Sequence, residues 1–194
     1  MKRRGFKSTN AMIFASLGIV INIVFGTVVQ SLQIPLLFLD TIGTILVAVV
    51  LGPFAGAMTG GLTNIIQGMV LNPKNIPFAI VNIVIGLIVG FIAKKYKFKI
   101  STAIITGLIL AIVAPLIGTP ISVFVYGGVT GGGSDIIFAW LIASGQKIFT
   151  AAFIPRITGN IIDKIVSCIL VAFIIKSMPK SLRLYKKDSI NAKA

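Results

Sequence analysis

The chain carries only four acidic side chains, all of them aspartates. Asp40 lies just inside an apolar hairpin, while Asp135 and Asp163 lie in and beside a late loop that we expect to face the same side of a membrane. An ionisable group at membrane depth is costly and usually marks a functional site. These positions therefore indicate a small-molecule pocket that opens to one face of a membrane-embedded helix bundle.

The remaining composition includes few residues of the types that catalyse reactions or bind metal ions. The chain has no histidine, no glutamate and a single cysteine, Cys168, which lies in an apolar run. The common zinc and disulfide arrangements are therefore excluded, and acid–base or nucleophilic groups are few. No segment resembles the phosphate-binding loop of P-loop ATPases. We expect a protein that is not an enzyme, needs no cofactor or metal, and uses Cys168 for packing.

The overall composition is typical of a membrane protein. Of its 194 residues 56% are hydrophobic, the net charge is +14 and the mean hydropathy is +1.04. The positive charge lies in tails and loops between apolar runs, which is the pattern that orients membrane helices and not one that indicates nucleic-acid binding. The apolar stretch after the basic residues 1–7 has no convincing cleavage site, so we interpret it as a retained first helix and not as a signal peptide.

Apolar runs of about 20 residues predict six membrane-spanning helices in a single domain that covers 1–194. Gly52-Pro53 predicts a tight turn between the second and third helices, because proline starts a helix well and cannot continue one. Pro115 and Pro120 predict a kink or a break in the fifth helix. The predicted spans are 8–31, 37–52, 54–71, 76–94, 102–126 and 157–177.

Basic clusters orient these helices. They precede the first span, follow the fourth and follow the sixth. Because even numbers of crossings separate the three clusters, all lie on the cytoplasmic side, and both termini are cytoplasmic. The stretch 127–156 is then an outer loop, with a glycine-rich turn followed by an outward-facing or interfacial helix over 135–153. A seventh crossing in this stretch would place a basic cluster outside.

With this topology the polar residues of the helices collect in the outer half of the bundle. Unpaired polar groups are costly in hydrocarbon, so these side chains must face one another, water or a ligand. They either form a network that only holds the helices together or line a pocket, and their convergence favours the pocket. Asp163 with Lys164 is a candidate local ion pair, and Asp135 a candidate N-cap of the loop helix. The predicted substrate-binding residues are Asp40, Thr44, Asn64, Gln67, Asn82, Tyr126, Asp135, Arg156, Asn160 and Asp163.

Small residues spaced by four form smooth stripes on several helices, and such stripes let helices approach closely. We expect most of them to pack within the fold. The stripe of Ala11 and Ala15, with Gly18 three residues further on, lies near the cytoplasmic end of the first helix. It is a candidate docking face for another protein.

Three longer segments complete the pattern. They are LDTIGTILVAVVLGPFAGAMTGGLTNIIQG at 39–68, GGVTGGGSD at 127–135 and GNIIDKIVSCILVAFIIK at 159–176. Together with the six hydrophobic helices, their basic ends and the Ala11/Ala15 stripe, they resemble the S component of energy-coupling factor (ECF) vitamin transporters. The resemblance covers nearly the whole chain and implies an S-component-like bundle in a bacterial plasma membrane.

The resemblance also implies a mechanism and partners. Such a protein captures a vitamin or a vitamin precursor from outside with high affinity. It docks through its first helix on a membrane coupling (T) subunit driven by two ATPase subunits, topples in the bilayer and releases the substrate inside. Loops one–two, three–four and five–six would cover the pocket, and the charge pattern places the same loops outside. The glycine-rich segment 127–133 has the flexibility that a lid needs.

Other functions stay open from the sequence alone. A stand-alone secondary transporter would need a coupling-ion site and usually inverted repeats, and the two halves show no convincing repeat. A sensory module would bind a ligand without transport, and a membrane enzyme would need catalytic groups that the chain largely lacks. Acidic and basic residues both fall in the outer half, so the sequence leaves the ligand's identity and charge undecided.

Overall fold

The computed structural model describes residues 9–178, and this part of the chain forms helices and no strands. The N-terminal basic cluster and the basic residues after 178 lie outside the described residues. A 3₁₀ helix, Pro73–Phe78, precedes the fourth α-helix. The α-helices are α1 (Thr9–Ser31), α2 (Ile42–Leu51), α3 (Pro53–Val70), α4 (Ala79–Lys95), α5 (Ile100–Tyr126), α6 (Ser134–Ala143) and α7 (Ile148–Ser177).

Within the described residues, four helical segments are long and apolar enough to cross a membrane. They are Thr9–Ser31, Pro73–Lys95, Ile100–Tyr126 and Ile148–Ser177. These segments support a membrane protein. α2 has ten residues and rises only about 15 Å, half of a hydrocarbon core. The six crossings and the cytoplasmic termini therefore stay predictions.

The second predicted helix is shorter than its predicted range 37–52, because α2 begins at Ile42. Before it, the backbone N–H groups of Phe38 and Leu39 donate to Asp163 Oδ1 at 3.0 and 2.7 Å. Leu36 and Leu39 also have positive φ angles, which a helix cannot accommodate. A carboxylate 124 residues away along the chain therefore holds this segment out of helical geometry.

α2 lies at the centre of the bundle, where it packs against α1, α3, α4 and α7. Every residue from Ile42 to Ala48 is buried. A helix enclosed on all sides can be apolar around its whole circumference, so α2 needs no polar face opposite an apolar stripe. The core around α2 includes Ile42, Ile45, Leu46, Ile85, Leu110 and Val171.

The small-residue stripe of α1 packs inside the fold. Ala11 and Ala15 are only 5% and 9% exposed, and Ala15 packs against Val47 and Ala55. A Cβ atom on Gly18 would lie 2.6 Å from Val47 Cγ2, so α2 fits against α1 only because this residue is glycine. In this structure the stripe packs inside the fold, and its role in docking on another protein stays a prediction. The small side chains are used for close approach of α1 to α2 and α3.

Two predicted breaks behave differently in the structure. Gly52 has φ +102° and Pro53 is the first residue of α3, so the predicted tight turn is present. α5 instead runs unbroken from Ile100 to Tyr126 through both of its prolines. Membrane helices tolerate proline where neighbouring groups satisfy the freed carbonyl, so the expected break is absent.

The predicted outer loop 127–156 contains two helical pieces where the sequence predicts one helix over 135–153. α6 ends at Ala143, and α7 begins at Ile148 and not near residue 157. Gly145, with φ +84°, provides the left-handed turn between them. Phe138 of α6 packs against Ala151 and Ala152, and this apolar contact keeps the first turns of α7 helical. The loop helix is thus ten residues long and separate from the extended α7.

Candidate ligand-binding site

A cavity lies between the C-terminal halves of α1, α3 and α5, the segment that precedes α2, and the N-terminal parts of α4 and α7. Because successive helices reverse direction, these parts meet at one end of the bundle, and the basic segment 94–99 lies at the other. The cavity volume is about 170 Å³. The cavity is therefore of a size suited to a small polar molecule.

α7 contributes a polar stripe to the cavity wall. Arg156, Asn160 and Lys164 are spaced by four residues, so they lie on one face of the helix, and all three line the cavity. Asn160 Nδ2 donates to the Arg156 carbonyl at 2.8 Å. Eight residues of helix separate the two cationic side chains, about 12 Å between their Cα atoms.

At the inner end of this stripe, Lys164 joins two carboxylates. Its Nζ atom lies 2.6 Å from Asp163 Oδ2 and 3.4 Å from Asp40 Oδ1, and it donates to Thr41 Oγ1 at 3.1 Å. The predicted Asp163–Lys164 ion pair is confirmed. Asp163 is fully buried, whereas the Asp40 side chain is 32% exposed in the cavity wall. With one ammonium and two carboxylates, the group carries a formal charge of minus one, and Asp40 is the member open to a ligand.

At the other end, Arg156 is tied to the glycine-rich strap, which we define as residues 127–133. Arg156 Nη1 donates to the Ala152 carbonyl at 3.0 Å, and Nη2 donates to Thr130 Oγ1 at 3.3 Å. Asp135 accepts from the backbone N–H groups of Thr130 and Gly131 at 2.9 and 2.6 Å. It thus braces the strap from the first turn of α6, where Gly133 is the N-cap residue. The strap lines the cavity through Thr130, Gly132 and Gly133.

A group of amide side chains forms the wall on α3 and α4. Asn82 Nδ2 donates to Asn64 Oδ1, and Asn64 Nδ2 donates to the Asn75 carbonyl at 3.1 Å. Asn82 is 2% exposed, and its Oδ1 atom accepts no hydrogen bond from the described chain. A buried polar atom without a partner is rare and calls for a water or ligand donor. The side-chain amide of Gln67 also lines the cavity.

The structure places six of the ten predicted substrate-binding residues in the cavity wall, although their role in binding stays a prediction. They are Asp40, Asn64, Gln67, Asn82, Arg156 and Asn160.

The other four predicted residues lie outside the cavity wall. α2 begins only at Ile42, so Asp40 and Thr44 do not lie on one face of a common helix. Thr44 Oγ1 accepts from Asn22 Nδ2 at 2.8 Å. Tyr126 stacks on Phe78 at 6.4 Å between ring centroids. Asp135 braces the strap, and Asp163 holds Lys164 and the segment before α2. Their polar atoms serve the protein framework and not the cavity surface.

The cavity also includes residues that the sequence reasoning did not select. Lys164 looked like the local partner of Asp163, and the aromatic residues Phe38 and Phe78 looked like ordinary apolar positions. Gln30 and Thr41 fall in the outer half of the predicted helices but were not among the predicted binding residues, and Asn75 lies between two predicted spans. The four-residue spacing of Lys164 from Asn160, and of Asn160 from Arg156, was the signal that could have identified Lys164 as a wall residue. Cavity residues absent from the prediction include Gln30, Phe38, Thr41, Asn75, Phe78 and Lys164.

The bundle has the apolar helices of a membrane protein, and a partly open cavity lined by polar and apolar side chains lies at one end of it. A family model described as ECF transporter, substrate-specific component, matches residues 10–175. The chain therefore belongs to the family of ECF transporter substrate-specific components, and the resemblance noted in the sequence is confirmed. No curated protein and no solved structure matches the chain.

Proposed function

We propose that the chain is the substrate-capturing subunit of an ECF-type ABC importer, and that it takes a vitamin or vitamin-precursor-like molecule from outside. In this proposal it delivers the molecule through a membrane coupling subunit and two ATPase subunits. The family match supports the transport role. The observation that carries the binding role is the cavity, whose wall includes Asp40, Arg156 and the amide side chains of α3 and α4.

The charge pattern supports an outward-facing cavity. Lysines 94, 95, 97 and 99 lie at the end of the bundle opposite the cavity, and basic loops are cytoplasmic in membrane proteins. With six crossings and cytoplasmic termini, the cavity and the strap face outward in a bacterial plasma membrane. The ligand enters and leaves unchanged in this scheme, so the chain performs no catalytic step.

A retention experiment tests the binding role. Purified protein is incubated with the small-molecule fraction of yeast extract, separated by gel filtration and denatured, and the released compounds are identified by mass spectrometry. We expect near-stoichiometric retention of a compound by the wild type. Asp40→Ala and Asn64→Ala each remove a polar group from the cavity wall, so each should lower retention about tenfold or more.

Thr158→Ala is the matched control, because Thr158 is exposed on α7 and bonds only to the Ile154 carbonyl of its own helix. It should retain the compound as the wild type does. A wild-type protein that retains nothing, or cavity variants with unchanged retention, would contradict the proposed binding site.

A further inference from the structure

We propose that the cavity selects an amphoteric ligand, a compact molecule with a protonated basic nitrogen at one end and a carboxylate or phosphate group at the other. The inference rests on the proposed function and deepens it by naming the chemical class of the substrate. It is carried by charged groups at the two ends of the α7 stripe and by Asn82 Oδ1, which has no hydrogen-bond donor among the described residues.

The inner end of the cavity has an excess of acceptors. Asp163 is satisfied by Lys164 and by two backbone N–H groups, and Lys164 also reaches Asp40. Lys164 therefore provides one positive charge for the two carboxylates of Asp40 and Asp163. The excess negative charge lies at Asp40, which faces the cavity. A ligand cation there completes the charge balance in a setting where water screens poorly.

Asn82 provides an independent acceptor. Its side chain belongs to the cavity wall and is 98% buried by the exposure given above, and its Oδ1 atom receives no hydrogen bond from the described residues. The amide is held in place because its Nδ2 atom donates to Asn64 Oδ1. The oxygen has almost no accessible surface, so an N–H group of the ligand would satisfy it only after neighbouring side chains shift.

The strap end of the cavity has an excess of donors. Arg156 has five N–H groups, of which two donate to the described chain, to the Ala152 carbonyl and to Thr130 Oγ1. Its nearest counter-charge, Asp135, is occupied by the backbone of the strap. The remaining guanidinium donors fit the planar oxygens of a carboxylate or a phosphate group.

The dimensions limit the ligand further. The Cα atoms of Arg156 and Lys164 are about 12 Å apart along α7, and the volume of about 170 Å³ admits only a compact molecule. Phe38 and Phe78 add apolar surface to the wall. A flat or short apolar middle between the two charged ends fits this arrangement.

The test is the chemical identity of the compound retained from the small-molecule fraction of yeast extract, and its competition with blocked derivatives. We expect the compound to contain both a basic nitrogen and an acidic group. Its N-acetylated form and its methyl ester should each compete about 10- to 100-fold less well, since each loses one charge-assisted hydrogen bond.

Two near-isosteric variants assign each charge to its end. Asp40→Asn should weaken binding of the parent compound about 10- to 100-fold, so that the parent and its N-acetylated form bind this variant with similar affinity. Arg156→Gln should weaken binding of the parent by the same factor, so that the parent and its methyl ester bind that variant with similar affinity. Lys147→Gln, an exposed cation at the N-cap of α7, is the matched control and should bind as the wild type does. If a cavity variant does not fold, the derivatives on the wild type decide the question.

The outcomes separate this inference from the proposed function. A retained compound that lacks either charged group, or blocked derivatives that compete as well as the parent, would overturn the amphoteric ligand while leaving the binding role in place. Retention of no compound by the wild type would overturn the binding role itself, and this inference with it.

Discussion

At the scale of single residues, the same amide chemistry serves two purposes. Asn22 is fully buried and donates to Thr44 Oγ1 and Thr63 Oγ1 at 2.8 and 3.0 Å, while its Oδ1 atom accepts from the Gly43 N–H at 2.7 Å. Its hydrogen-bonding capacity is met by protein groups, so it holds α1, α2 and α3 together. Asn82 lies in the cavity wall, and its Oδ1 atom has no hydrogen-bond partner among the described residues.

Replacing Asn22 should therefore destabilise the bundle. Asn22→Leu has a similar volume but leaves the Gly43 N–H and two buried hydroxyl groups without their partner, a loss of about 2 kcal/mol. We expect the Tm in detergent to fall by about 4–8 °C. The control is Ser16→Ala, at an exposed position of the same helix, which should melt as the wild type does. An unchanged Tm for Asn22→Leu would contradict the structural role.

Residue type and depth were enough to predict part of the cavity wall, since polar side chains in apolar helices must converge. Partners were not predictable in the same way. Thr44 and Asp163 have the expected polar groups, but these groups form hydrogen bonds within the bundle, with Asn22 and with the Leu39 N–H. Which polar residue faces a cavity depends on helix rotation and on contacts between distant segments, and a single sequence contains neither.

At the scale of elements, the long helices followed from apolar length, whereas their ends did not. The start of α2 depends on Asp163 of α7, which holds the backbone before Ile42. The start of α7 depends on its contact with Phe138 of α6. Both boundaries are set by tertiary contacts, so local propensity and hydropathy could not locate them.

The strap is the element best placed to control access to the cavity. Three of its backbone carbonyls accept from side chains on α1 and at the start of the 3₁₀ helix: Val129 from Lys74 at 2.9 Å, Thr130 from Asn72 at 3.5 Å and Gly131 from Gln30 at 3.4 Å. Lys74 Nζ also lies 5.6 Å from the centroid of the Tyr126 ring. These few contacts hold a glycine-rich segment, so removing one should raise its opening frequency.

Lys74→Met tests this control by removing the strongest of the three contacts. Amide hydrogen exchange of the segment 127–133, measured by mass spectrometry, should become about 3- to 10-fold faster because a hydrogen bond to a charged group is lost. Lys94→Met makes the same charge change at the opposite end of the bundle and should leave the exchange rate of the strap unaltered. Equal exchange rates in Lys74→Met and the wild type would show that Lys74 does not hold the strap.

At the scale of the whole molecule, the mixed acidic and basic groups around the cavity and the lysine-rich segment 94–99 lie at opposite ends of one bundle. The cavity and the strap lie at one end, and the lysines of the segment 94–99 lie at the other. This asymmetry followed from the sequence, because charge and hydropathy alternate along the chain. The internal position of the α1 stripe did not follow, since a smooth helix face suits an internal contact and an external partner equally well.

The central claim is that the captured molecule is imported by an ATP-driven complex, and transport in proteoliposomes tests it most directly. The chain is reconstituted with and without its coupling subunit and two ATPase subunits. Yeast-extract small molecules are supplied on the side of the cavity, and compounds that accumulate in the lumen are identified by mass spectrometry. We predict accumulation only with the complete complex and ATP. Accumulation by the chain alone, without ATP, would contradict the account and indicate a secondary transporter.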